Sequence, residues 1–135
     1  MIVFKGYRLF LIAGLVAYIA LVTWLSLMPA SNFSLSLISF PGVDKIVHGV
    51  MYLILGFITF LLITDLWQKS MVMITLTVFI LDIGYGFLME YLQLWVTSSS
   101  RSFEKGDLLA NCLGVATGIL IAHLISPLIL VRLRK

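Results

Sequence analysis

The sequence predicts an all-α integral membrane protein: a bundle of four transmembrane helices with N and C termini cytoplasmic. Three observations carry that prediction. Hydrophobic residues make up 61% of the 135-residue chain and charged residues 11%, whereas the apolar share of soluble domains is nearer a half. Mean hydropathy is +1.14. The apolar residues form four runs, Leu9 to Met28, Ile46 to Thr64, Met71 to Trp95 and Leu108 to Val131, and each matches the about 20 residues that span a hydrocarbon core of about 30 Å. These runs account for most of the chain, so residues 1–135 read as one membrane domain with no soluble domain, internal repeat or low-complexity tail.

The first run follows Lys5 and Arg8 and precedes Pro29-Ala30, as a secretory signal would. Its apolar stretch is too long for a signal core, and Met28 is a poor small-residue match three places before a cut after Ala30. The run therefore predicts a retained helix. The following segment "NFSLSLISF" alternates apolar and small polar residues, as a strand or a surface-lying stretch does, and is expected to cover the helix ends. The second run is opened by "DKIVHGVMY", in which Asp44, His48 and Tyr52 share a face at i, i+4 spacing. The third holds Asp82, about 17 Å from its start, then "IGYG", whose glycines permit close packing or a kink, then Glu90 and Gln93.

The fourth run is opened by "RSFEKGDLLAN". Asp107, Asn111 and Gly114 form one row, and Ala110, Gly114, Gly118 and Ala122 recur every four residues as a small-residue stripe that admits a neighbouring helix. Asn111 borders the stripe and is expected to face protein. The single Cys112 lies inside this run and reads as a packing residue, with no disulfide framework. Trp24, Trp67 and Trp95 lie near helix ends, where indole rings anchor at the membrane interface.

Cytoplasmic flanks collect Lys and Arg. Lys5, Arg8, Lys69, Arg132, Arg134 and Lys135 fall on one side and Lys45, Arg101 and Lys105 on the other, six against three. The connections from Pro29 to Asp44 and from Val96 to Asp107 are thereby expected on the outer side. That orientation gathers Asp44, Lys45, His48, Glu90, Gln93, Arg101, Asp107 and Asn111 at one membrane depth. The net charge of +3 sits at the chain ends rather than on one amphipathic face, so it sets topology and does not indicate nucleic acid.

Each polar residue has a plain reading beside a functional one. Lys45, Glu104 and Lys105 fit ordinary interfacial charges. Glu90, with apolar turns on its inward side, fits either a structural ion pair with Arg101 or a ligand site, the latter favoured because ionisable groups in spans usually face a partner or a cavity. Arg101 offers a planar fork of donors to a carboxylate or a phosphate. His48 fits a hydrogen-bonded buried histidine or a general acid or base oriented by Asp44. Asp82 either bonds a neighbouring helix or lines the floor of a cavity opening toward Glu90. His123, about 24 Å along the fourth helix from Asp107, is placed near the inner face. No cofactor is expected, and no metal, because the histidines and carboxylates lack a recognisable ligand spacing.

"SLMP", "DKIVHGVMY", "YGFLMEYLQ" and "RSFEKGDLLANCLGVATG", in this order and spacing, resemble the VanZ-like family over nearly the whole chain. The resemblance implies that Asp44, Lys45, His48, Tyr52, Glu90, Gln93, Arg101, Asp107, Asn111, Gly114 and Gly118 are family positions. It also implies a link to glycopeptide, in particular teicoplanin, resistance. Asp82 is outside that pattern.

The leading expectation is an inner-membrane protein, multi-pass in the plasma membrane, with an outward-facing polar pocket for a cell-envelope lipid or peptidoglycan-related group. Asp44, Lys45, His48, Tyr52, Glu90, Gln93, Arg101, Asp107 and Asn111 would line it. The expected partners are membrane lipids or lipid-linked precursors, and oligomers are open. An intramembrane hydrolase or transferase using His48 or Glu90 is the alternative, although no activated serine or cysteine is recognisable and water or a substrate hydroxyl would have to attack. A structural membrane subunit is the third reading. Four helices without a repeat do not by themselves enclose a transport path.

Overall fold

The computed structural model describes residues 2–28, 42–67, 69–96 and 104–133, with side chains between residues 6 and 127 of those stretches. It contains four helices, α1 (Ile2–Leu27), α2 (Val43–Leu66), α3 (Met71–Val96) and α4 (Lys105–Leu133). All four are long and apolar enough to cross a membrane. No strand occurs among the described residues. The segment Asn32 to Phe40 and the position of Arg101 lie outside them.

The helices run beyond the apolar stretches that predict them. α1 starts seven residues before Leu9, α2 three before Ile46 and α4 three before Leu108. A hydropathy scan stops at the first charge, but a helix continues through the interface because long charged side chains reach water from there. Asp44 and Asp107 thus stand in the first turns of α2 and α4, where a negative charge complements the helix dipole. Gly42, with φ at +90°, supplies the left-handed backbone from which α2 departs, a conformation open to glycine at little cost.

The tightest interface joins α2 and α4, which run parallel although α3 separates them in sequence. Pairs of residues fix the register: Lys45 with Glu104, His48 with Asn111, Gly49 with Gly114 and Leu53 with Gly118, and Phe60 with His123. A methyl group added at 114 would overlap the Gly49 carbonyl, and one at 118 the Leu53 carbonyl. At Gly56 a Cβ would stand 2.9 Å from the Val115 carbonyl oxygen. The predicted stripe therefore has a partner of its own kind: small residues on both helices let the backbones touch, the usual route to helix association in lipid.

Helix α3 packs antiparallel to α2, and α1 closes the bundle mainly through side chains. The Tyr18 hydroxyl donates to the Met51 carbonyl at 2.9 Å, the Tyr85 hydroxyl to the Ile19 carbonyl at 3.2 Å, and Gln93 Nε2 to the Ser26 carbonyl at 2.9 Å. Leu11, Tyr52, Leu55, Phe60, Val78, Val115 and Ile119 form the apolar core between the four helices. Trp24, Trp67 and Trp95 are exposed near helix ends, as interfacial anchors are.

At the end of the bundle away from Asp44, Arg8 Nε donates to Asp65 Oδ2 at 2.8 Å and ties α1 to α2. Arg8 is half-exposed, so this pair is worth about 0–1 kcal/mol. Asp65→Asn is expected to lower the detergent melting temperature slightly and to leave expression unchanged, as read by a thermal-shift assay.

Candidate functional site

Helix ends bring the predicted polar residues together where α2 and α4 begin and α3 finishes. His48 is five residues into α2, Asn111 six residues into α4 and Glu90 six residues from the end of α3. At 1.5 Å per residue all three lie about 8–9 Å inside the helix termini. His48, Asn111 and Glu90 therefore lie at similar distances from the helix ends that meet there.

The group divides into an inner and an outer layer. In the inner layer, His48 Nδ1 lies 3.2 Å from Asn111 Oδ1 and 3.7 Å from Glu90 Oε1. Glu90 and Asn111 are each 1% exposed and His48 is 9% exposed. Tyr52, one turn below His48, is also 1% exposed and packs against α3 where Gly86 leaves room. A Cβ at 86 would stand 3.0 Å from the Tyr52 ring and 3.2 Å from Asn111 Nδ2. Gly86 therefore lets α3 approach the α2–α4 pair, while a side chain at Gly84 would meet nothing.

In the outer layer, Lys45 is surrounded by carboxylates. Its Nζ donates to Glu104 Oε2 at 2.8 Å and to Asp44 Oδ2 at 3.3 Å, and it stands 3.6 Å from Asp107 Oδ1. Asp107, 8% exposed, joins the layers, because its carboxylate also lies within 4.8 Å of the ligand atoms of His48 and Glu90. Lys105 is exposed.

The structure changes three sequence expectations. Asp44 does not serve His48: its exposed carboxylate pairs with Lys45, and Asn111 faces the imidazole instead. The i, i+4 row is present, but its first member is exposed, and a lysine one residue away is the nearer partner. Gln93 shares the Glu90 end of α3, yet its amide donates to α1 at the Ser26 carbonyl. Lys45 and Glu104, read as ordinary interfacial charges, pair across α2 and α4.

Other expectations stand apart from this cluster. Asp82, buried at about 12 Å along α3 from Glu90, stands near Thr59 of α2, whose hydroxyl makes no hydrogen bond among the described residues. His123 is exposed and packs edge-on to Phe60, 6.0 Å between ring centroids, at the opposite end of α4. Residues that sequence reasoning passed over are Ser26, Thr59 and Asp65, whereas Gly86 belongs to the "IGYG" stretch read as allowing close packing. Ser26 acts through its backbone carbonyl, which leaves no hydropathy signal. Asp65 had a signal, as an acid facing the basic Arg8 at the same membrane level.

With this geometry in place, the comparison with known families is specific. The VanZ/LLP1 family model matches residues 5–126, nearly the whole chain. The chain belongs to the VanZ/LLP1 family. No curated protein and no solved structure matches it. As a VanZ-family protein with four apolar helices, it is a multi-pass membrane protein; of the polar positions of the family resemblance, Gln93 bonds α1 instead of the two layers and Arg101 lies outside the described residues.

Proposed function

We propose that this VanZ-family protein binds an anionic cell-envelope lipid or lipid-linked peptidoglycan precursor at the outward end of the bundle, in the inner membrane. The observation that carries the proposal is a groove of about 300 Å³ between α2 and α4, with Lys45 at its head and Ile46, Gly49, Leu53, Leu113 and Thr117 along it. Lys45 to Leu53 is eight residues, so the groove extends about 12 Å inward from the ammonium group. An ammonium group above an apolar channel suits a molecule with a charged headgroup and an acyl chain, the headgroup displacing the carboxylates around Lys45. Arg101 would add a bidentate donor to the same headgroup.

Lys45 is held by Glu104 at 2.8 Å, and an anionic headgroup competes with that carboxylate. Native mass spectrometry of protein released from membranes is expected to show a co-purifying lipid in wild type, several-fold less in Lys45→Gln and more in Glu104→Gln. Equal occupancy in all three would remove the proposal. The binding reading ranks above the hydrolase or transferase reading because His48 and Glu90 are buried and do not line the groove. Turnover of the retained lipid, abolished by Glu90→Gln, would reverse that ranking. A link to teicoplanin resistance follows if a deletion strain changes susceptibility and Lys45→Gln fails to restore it.

A further inference from the structure

From the inner layer we infer that His48, Glu90 and Asp107 form a binding site for a divalent first-row metal ion, with the Asn111 carboxamide oxygen as an additional donor. One ligand atom from each of the three residues lies within 4.8 Å of the other two, and all three residues are buried. An ion bound at roughly 2.0–2.2 Å holds opposed donors no more than about 4.4 Å apart. Adjustments of a few tenths of an ångström therefore close the set. The measured separations of 3.2 Å from His48 Nδ1 to Asn111 Oδ1 and 3.7 Å to Glu90 Oε1 already fall in the range between donors on one ion.

A second observation points the same way. Asn111, 1% exposed, turns its oxygen toward the imidazole, while its Nδ2 finds no hydrogen-bond partner among the described residues. Asp107 Oδ1 is likewise buried and accepts no hydrogen bond among them. Buried polar atoms are nearly always satisfied, and an ion in this position would satisfy Asp107 Oδ1, with Asn111 Oδ1, which accepts from the His48 Nδ1–H when no ion is bound, close enough to turn to the same ion. Lys45, 3.6 Å from Asp107, then serves as the outer partner that orients a ligating carboxylate. One imidazole with two or three oxygen donors selects Zn²⁺, Mn²⁺ or Fe²⁺ over Cu⁺, which needs sulfur, and over Ca²⁺, which needs more oxygens. The three helices that supply the ligands would be cross-linked at one depth. The inference concerns the buried layer and stands independently of lipid binding in the Lys45 groove.

The test uses the full-length protein in detergent, stripped with chelator, equilibrated with micromolar ZnCl₂, washed and analysed for zinc by mass spectrometry. About one zinc per chain is expected in wild type and in Glu104→Gln, and less than a tenth of that in His48→Gln and Asp107→Asn. Absence of retained zinc in wild type, or equal zinc in His48→Gln, overturns the inference. Zinc lost in Glu104→Gln but kept in His48→Gln also overturns it, by moving the ion to the exposed Asp44, Glu104 and Asp107 group. Should the His48 and Asp107 variants fail to fold, Co²⁺ added to wild type decides. Ligand-field absorption bands distinct from those of aqueous cobalt support a protein-held ion, and the aqueous spectrum refutes it.

Discussion

Gly118→Leu is expected to abolish the folded bundle. The obstacle is backbone: a methyl group at 118 overlaps the Leu53 carbonyl, and the Phe57 amide nitrogen would lie 2.9 Å from it. Neither can rotate aside as a side chain would, so α4 has to move away from α2 along its whole length. Overpacking of cores typically costs about 1–3 kcal/mol, and an obstacle made of backbone puts this substitution at or above about 3 kcal/mol on that scale. The measurement is thermal melting and monodisperse yield in detergent. Gly84→Ala is the control, because nothing lies within 4 Å of a Cβ at that position. It should melt at or slightly above the wild-type temperature, since alanine gains up to about 1 kcal/mol over glycine in a helix. Equal stability of Gly118→Leu and wild type would mean that α2 and α4 are not in backbone contact.

The second large effect is expected at Glu90. Its side chain is 1% exposed and stands beside His48, so Glu90→Ala leaves a cavity beside the imidazole. Large-to-small substitution at a buried site typically costs about 2–5 kcal/mol. Glu90→Gln preserves shape and should cost less, about 1–3 kcal/mol, as a hydrogen-bond mismatch does. Measured together with cellular phenotype, the two variants separate welding from function. A purely structural cluster predicts that Glu90→Gln, adjusted to equal abundance, behaves as wild type in cells. A functional cluster predicts a defect in cells that exceeds the fall in stability.

The fold was legible because lipid simplifies the code. Four apolar runs of spanning length leave few architectures, and the small-residue stripe of Ala110, Gly114, Gly118 and Ala122 identified which face of α4 is an interface. The stripe did not identify its partner, because Gly49 and Gly56 in α2 are seven residues apart and escape a four-residue search. The depth of His48, Glu90 and Asn111 followed from topology, since polar residues near helix ends have only one coordinate left to vary. Direction around the helix axis was harder. Asp44 and His48 share a face in projection, but Asp44 lies at the water boundary and Lys45 beside it competes for its charge. Asp107 was gathered with His48 and Glu90 by depth alone, whereas how closely the three approach depends on the rotation of three helices, which no periodicity reports.

The parallel pairing of α2 with α4 also sets a schedule for biogenesis. A membrane protein made from its N-terminus presents α2 to the lipid before α3 and α4 exist. Until α4 arrives, the glycine-lined face of α2 has no backbone to touch and His48 has neither Asn111 nor Asp107 beside it. Hydrophobic insertion of each helix is therefore separated in time from tertiary closure, and the closure waits for α4 to leave the ribosome. A chain truncated before residue 107 would carry His48 on α2 with neither of these partners.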